Sequence, residues 1–154
     1  MKITSSAFSE GQLIPTAYTQ HGQDSSPPLA ITEVPKNAKS IALIVDDPDA
    51  PKGTFTHWIL FNLDPHVGVI IDNSIPPGAL EGKNSTGRNE YVGPKPPSGI
   101  HRYFFRAYAL DRRLPLSEGA SRYEVERAMN GFVLAEAQLV GRYSAEAENV
   151  NAPR

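Results

Sequence analysis

Three stretches of the chain carry strand patterning. Ser40-Ile41-Ala42-Leu43-Ile44-Val45-Asp46 holds an unbroken aliphatic run, partly β-branched, and is closed by Asp47-Pro48. A strand that is apolar on both faces needs cover on both, which predicts a place at the centre of a sheet. Residues 55–63, Phe-Thr-His-Trp-Ile-Leu-Phe-Asn-Leu, are rich in strand formers and stop at Asp64-Pro65. In residues 101–110, Tyr103, Phe105, Ala107 and Ala109 alternate with Arg102, Phe104, Arg106 and Tyr108. One face of that strand is therefore small and aromatic, and the other amphipathic. Weaker strand signals cover residues 2–5, 29–34 and 67–72.

Helical signals come late. Ser121-Arg122-Tyr123-Glu124 has the form of a capping box, in which two side chains satisfy each other's backbone N–H. Val125, Ala128 and Met129 follow at helical spacing, and Asn130-Gly131 offers the left-handed conformation that closes a helix. Periodicity leaves residues 134–143 open between a second helix and a last strand. Residues 144–154 are polar, lack aromatics and are expected to fray. Residues 73–100, with Pro76-Pro77-Gly78, Gly93-Pro94 and Pro96-Pro97, form an expected long loop whose prolines and glycines fix turns. Strong strands with one capped helix late in the chain predict a mainly β fold, an antiparallel sandwich with a few short helices.

Composition narrows the function. At 154 residues the chain can bury roughly two-thirds of its surface, enough for one core, so residues 1–154 are read as a single domain. A formal net charge of −2 gives no basic footprint for nucleic acid. The longest aliphatic run, Ile41 to Val45, is far short of a membrane span. The absence of cysteine excludes disulfides, thiol nucleophiles and iron–sulfur clusters. With no apolar core in the first residues, the expected compartment is the cytoplasm.

The chemistry concentrates in an acidic turn, Asp46-Asp47-Pro48-Asp49-Ala50-Pro51, and two histidine-bearing strands, Thr56-His57-Trp58 and Gly99-Ile100-His101-Arg102-Tyr103. A carboxylate beside an imidazole raises its pKa and fixes its tautomer, so such a cluster can present N–H donors to an anion, most strongly at mildly acidic pH. Tyr103 adds a hydroxyl. A hydrolase would instead use Ser98, His101 and Asp47, but Ser98 lacks the Gly-x-Ser-x-Gly elbow. A metal centre would use His57, His101 and Asp47. Gly78 to Asn84 falls one residue short of phosphate-loop spacing and reads as a turn, and Asn84-Ser85-Thr86 fits the glycosylation pattern. Trp58 and Phe61 are read as core, although Trp58 and Tyr123 would also suit a homodimer face.

The order of these segments resembles the phosphatidylethanolamine-binding protein family, in its bacterial and archaeal Raf-kinase-inhibitor-like branch. The resemblance runs from Phe8-x-x-Gly11-x-x-Ile14-Pro15 and Ser26-Pro27-Pro28-Leu29 through Asp47-Pro48-Asp49-Ala50-Pro51 and His57-Trp58. It continues in Tyr91-x-Gly93-Pro94-x-Pro96-Pro97-x-Gly99-x-His101-Arg102-Tyr103 and closes with Leu139-x-Gly141-x-Tyr143. It implies a β-sandwich with a preformed anion pocket at Asp47, Asp49, His57, Pro97, Gly99, His101 and Tyr103. It also implies a strand at residues 139–143 and a cis Ala50-Pro51 bond with a slow folding phase. Lys95 stands where a cysteine is common in the family, and Gln20-His21 departs from the usual Cys-Asp; His21 is read as solvated. The expectation is a non-enzymatic binding or regulatory protein without cofactor, metal or catalytic residue. Its partners would be a phosphate-type anion, a phosphorylated small molecule or headgroup, or a kinase or serine protease target.

Overall fold

In the computed structural model, which describes residues 1–146, the elements follow in the order β1 (Lys2–Thr4), β2 (Leu29–Thr32), β3 (Ser40–Asp47), β4 (Phe55–Leu63), β5 (Val69–Ile70), β6 (Leu80–Glu81), β7 (Ile100–Leu110), α1 (Arg122–Met129) and β8 (Val133–Ser144). A single 3-10 turn at Thr16–Tyr18 precedes β2. The strands pair as β1-β2-β5 and β6-β4-β3-β7-β8, antiparallel throughout. The fold is thus mainly β, two antiparallel sheets with a helix late in the chain.

Strand β3 lies at the centre of the larger sheet, and all its residues are buried. The two-residue period of a strand explains why. Ile41, Leu43 and Val45 meet the smaller sheet through Ile3, Leu29, Ile31 and Ile70. Ala42 and Ile44 point the other way, where Val125 and Met129 of α1 cover them with Ile59 and Phe61. Trp58 and Phe61 are fully buried, so Trp58 belongs to the core, whereas Tyr123 is 70% exposed.

The helix begins as its sequence requires. Ser121 Oγ accepts from Glu124 N–H at 3.1 Å, and Glu124 Oε1 accepts from Ser121 N–H at 3.0 Å. Gly131, at φ +86°, turns the chain out of the helix toward β8. Residues 134–143 belong to β8, which pairs with β7 along almost its full length. Its outer edge near Gly141 is covered by the loop before the 3-10 turn, where Gly11 N–H donates to Val140 O at 2.7 Å and Ile14 N–H to Arg142 O at 2.8 Å.

Several boundaries differ from the sequence reading. The strand expected over 67–72 shrinks to β5, because Val69 and Ile71 point to solvent while Ile70 is buried and Val67 packs against the core from the preceding turn. The long loop contains β6, a two-residue edge strand on β4 that is too short to leave a periodic signal. The Ala50–Pro51 bond is trans, since no cis peptide occurs among the described residues. Gly53 N–H donates to Ala50 O at 3.2 Å, which puts Pro51 second in a β-turn, a position that a trans proline suits. The slow folding phase expected of a cis bond loses its basis. Ser144 ends β8, and residues 147–154 of the expected frayed tail lie outside the described residues. No described helix is long and apolar enough to cross a membrane.

Candidate functional site

The alternation of β3 continues into its acidic end and separates two neighbouring carboxylates. Asp46 shares the parity of Ala42 and Ile44 and faces the helix side, where Arg106 and Arg122 hold it. Asp47 shares the parity of Val45 and faces the end of the inter-sheet core. Across the ladder, Val45 pairs with Trp58 and Asp46 with Thr56, which leaves His57 as the extra residue of a β-bulge. A bulge re-aims a side chain, and this one turns His57 to the same end of the core as Asp47. Its ring packs edge-on to Tyr103 of β7 at 5.2 Å and tilted against Phe55 at 4.7 Å. His101 arrives from β7 on the parity of Tyr103 and Phe105.

These side chains line a pocket of about 450 Å³. Its floor is Asp47, His57, His101 and Tyr103, and its sides are the turn Ala50–Thr54, Phe55, Ser85, Gln20 and the Lys95-Pro96-Pro97 strap. His101 Nδ1 donates to Asp47 Oδ2 at 2.6 Å, in a pair whose side chains are 9% and 5% exposed. Asp47 Oδ1 accepts from Asp49 N–H at 2.8 Å. His57 Nδ1 donates to Val92 O at 2.6 Å. Tyr103 is almost wholly buried, and burial, with Asp47 and Asp49 nearby, raises its hydroxyl pKa far above the usual tyrosine value. It therefore stays protonated. The expected lift of the imidazoles by a carboxylate fails for His57. Burial lowers its pKa, outweighing the Val92 bond and the charges of Asp47 and Asp46.

Five of the seven residues named from the sequence line this pocket: Asp47, His57, Pro97, His101 and Tyr103. Asp49 and Gly99 do not. Asp49 instead accepts three bonds from Arg102, from its backbone N–H and Nε on Oδ2 and from Nη2 on Oδ1, all at 2.8 to 2.9 Å. The Arg102 guanidinium holds the Asp49 carboxyl down at about 2, and the ion pair ties the acidic turn to the start of β7. Gly99, at φ +65°, turns the chain into β7, and its carbonyl accepts from Ala145 N–H at 3.0 Å. Gln20, Ser85 and the turn backbone at Gly53 and Thr54 are pocket-wall residues that the sequence reading passed over. They carry no signal of their own, because distant segments bring them there.

Other candidates land elsewhere. Ser98 is exposed and outside the pocket wall. Both oxygens of Asp47 already accept hydrogen bonds, and among the described residues no group of three His, Asp or Glu side chains is arranged to hold a metal ion. Asn84 is buried; its Nδ2 donates to Glu90 O at 2.7 Å, so the glycosylation pattern is folded inward. Leu80 and Glu81, inside the short glycine-bounded segment, form β6. His21 is half-buried, not solvated, with Nδ1 at 2.9 Å from Tyr143 Oη.

The strap that supplies Val92, Lys95 and Pro97 is pinned at Gly93. Its N–H donates to Asp24 Oδ1 at 2.7 Å and its carbonyl accepts from Gln20 Nε2 at 2.9 Å. A Cβ at this position would lie 2.5 Å from both Asp24 Oδ1 and Tyr18 O, and the latter is backbone that cannot swing away. Gly93→Ala is therefore expected to cost about 2 kcal/mol and to lower Tm by roughly 4–8 °C. Thermal unfolding followed by circular dichroism measures it; an unchanged Tm would mean that the strap shifts freely and does not fix His57.

The model of the phosphatidylethanolamine-binding protein family matches residues 4–144. A UPF0098 protein of Methanothermobacter thermautotrophicus is 48% identical over 148 residues, covering 93% of this chain and 98% of its own. The crystal structure of a phosphatidylethanolamine-binding protein homolog, CT736 from Chlamydia trachomatis, superposes with a TM-score of 0.89 at 42% identity, covering 93% of this chain and 96% of its own. YbcL of E. coli, described as a member of the mammalian PEBP family, superposes at 0.87 with 28% identity over 93% of this chain and 97% of its own. With its sheets, acidic turn and paired histidine strands laid out in that order, the chain belongs to the phosphatidylethanolamine-binding protein family.

Proposed function

We propose that this chain is a non-enzymatic binding or regulatory protein that takes a phosphate-type anion in the pocket at the end of β3. One observation carries the reading: three polar atoms, His57 Nε2, His101 Nε2 and Tyr103 Oη, have no hydrogen-bond partner among the described residues, on side chains that are at least nine-tenths buried and line the pocket. A few convergent polar groups that open only onto a cavity, on otherwise buried side chains, fit a ligand. Lys52 and Lys95, both exposed at the rim, supply attraction for an anion. The name of the family supports a phosphorylated headgroup or its water-soluble fragment as ligand. In the finer form of the proposal, the loaded protein acts in the cytoplasm as an inhibitor of a kinase or serine protease.

The test is a titration of the His57 and His101 ring resonances with phosphate and with phosphorylethanolamine, repeated with zinc. Saturable movement of both rings by the phosphate compounds is the expected result. A response to zinc alone would favour a metal centre on Asp47, His57 and His101 instead.

A further inference from the structure

Hydrogen bonding fixes which nitrogen of each ring carries the proton. A carbonyl oxygen only accepts, so His57 Nδ1, bonded to Val92 O, holds the hydrogen. The Asp47 carboxylate does the same to His101 Nδ1. Each ring is left with Nε2 for the pocket. The two differ in what they offer. His57, 5% exposed, is bonded through Nδ1 to a neutral carbonyl and has its pKa lowered by burial, so its neutral ring presents at Nε2 a lone pair, an acceptor. His101 bonds a carboxylate where His57 bonds a carbonyl, and with its ring protonated it donates from Nε2, with the Tyr103 hydroxyl donating beside it.

An anion whose oxygens are all unprotonated meets two donors and one lone pair. An anion that keeps a hydrogen matches all three. We infer that the pocket selects a proton-bearing anion, hydrogen phosphate or the monoanion of a phosphomonoester, whose P–OH donates to His57 Nε2 while its other oxygens accept from Tyr103 and His101. The inference rests on the reading of this cavity as an anion site and narrows it. Sulfate, or the diester phosphate of an intact phospholipid, has no hydrogen to give and leaves His57 Nε2 against an oxygen lone pair, which is costly in a buried site.

The titratable groups around His57 are Asp47 and Asp46 from β3, His101 and Tyr103 from β7, with Lys52 and Lys95 at the rim. Comparing two ligands at one pH cancels their titration. Inorganic phosphate keeps a P–OH throughout the neutral range, whereas methyl phosphate loses its last one near a pKa of about 6. Dissociation constants for both, and for sulfate, are measured on the full chain from the ring resonances at about pH 5 and about pH 8. Methyl phosphate should match phosphate at the lower pH and fall roughly tenfold behind it at the higher, with sulfate roughly tenfold weaker at both. Phosphorylethanolamine against glycerophosphoethanolamine at about pH 5 separates a monoester from the diester of a lipid headgroup, and the monoester should bind more tightly. A flat methyl phosphate to phosphate ratio, or sulfate binding as tightly as phosphate, overturns the proton-bearing selection and leaves the anion site standing. If none of these anions moves either ring, the anion site falls and this inference with it.

Discussion

Asp47→Asn is expected to weaken phosphate binding by about 10-fold to 100-fold while the chain stays folded. The carboxylate makes two bonds of different kinds. Oδ1 accepts from Asp49 N–H and holds the acidic turn, and Oδ2 accepts from His101 Nδ1. An asparagine has one acceptor for these two donors. If its oxygen keeps the turn, its NH2 faces His101 Nδ1 and drives the ring to the opposite tautomer, with no negative charge left to support an imidazolium. A protonated His101 then has no carboxylate beside it, and a charge-assisted hydrogen bond from Nε2 to the anion gives way to an ordinary one. The Asp49–Arg102 fork still ties the turn to β7, which is why the fold should survive. Calorimetric titration with phosphate, alongside a thermal melt, reads both effects. Unchanged affinity would mean that His101 is not organised by Asp47; an unfolded variant would mean that the acidic turn is structural before it is functional.

The parts of the site that were legible in the sequence are those set by local pattern. The run from Ile41 to Val45 announces a central strand because both faces are apolar, and the alternation in β7 places Tyr103, Phe105, Ala107 and Ala109 on one face; all four are buried. His101 follows from the same parity. The capping box needs only residues three apart. What stayed hidden depends on partners far along the chain. Asp49 enters the expected pocket through the family resemblance, yet its carboxylate is held by Arg102, 53 residues away, outside the pocket wall. His21 reads as solvated because it lies outside every matched motif, and its partner, Tyr143, is 122 residues distant. The orientation of His57 depends on a bulge, and one skipped residue in a ladder leaves no mark in composition. Its protonation depends on burial beneath the strap, which no spacing rule reports.

The same end of β3 also carries the second large expected effect, on stability. Asp46 is 1% exposed, and its carboxylate accepts from Arg106 Nε and Nη2 at 3.1 to 3.2 Å and from Arg122 Nη2 at 2.9 Å. Arg122 is the first residue of α1 and also donates to Thr56 Oγ1 at 3.0 Å, so this carboxylate joins the helix to the sheet. Arg106 stacks on Phe104 at 4.4 Å, which limits its freedom to turn to solvent. Asp46→Ala leaves two half-buried guanidinium groups facing each other without their shared anion, with only Arg122 still paired, through Nε to Glu126 at 2.8 Å. Breaking a buried ion cluster on one side costs about 3–5 kcal/mol, and the partial exposure of both arginines places the expectation at the lower end, about 3 kcal/mol. Tm should fall by roughly 6–12 °C. Removing Arg122 as well should restore part of the loss, because its repulsion with Arg106 then disappears; a double-mutant cycle on Asp46 and Arg122 isolates that coupling. A single variant that melts within experimental error of the parent would show that water already serves the arginines. Asp46 faces away from the pocket, so phosphate should still move the His57 and His101 resonances in the folded variant. That outcome would separate the two adjacent carboxylates by role, with Asp46 holding the helix and Asp47 holding the donor.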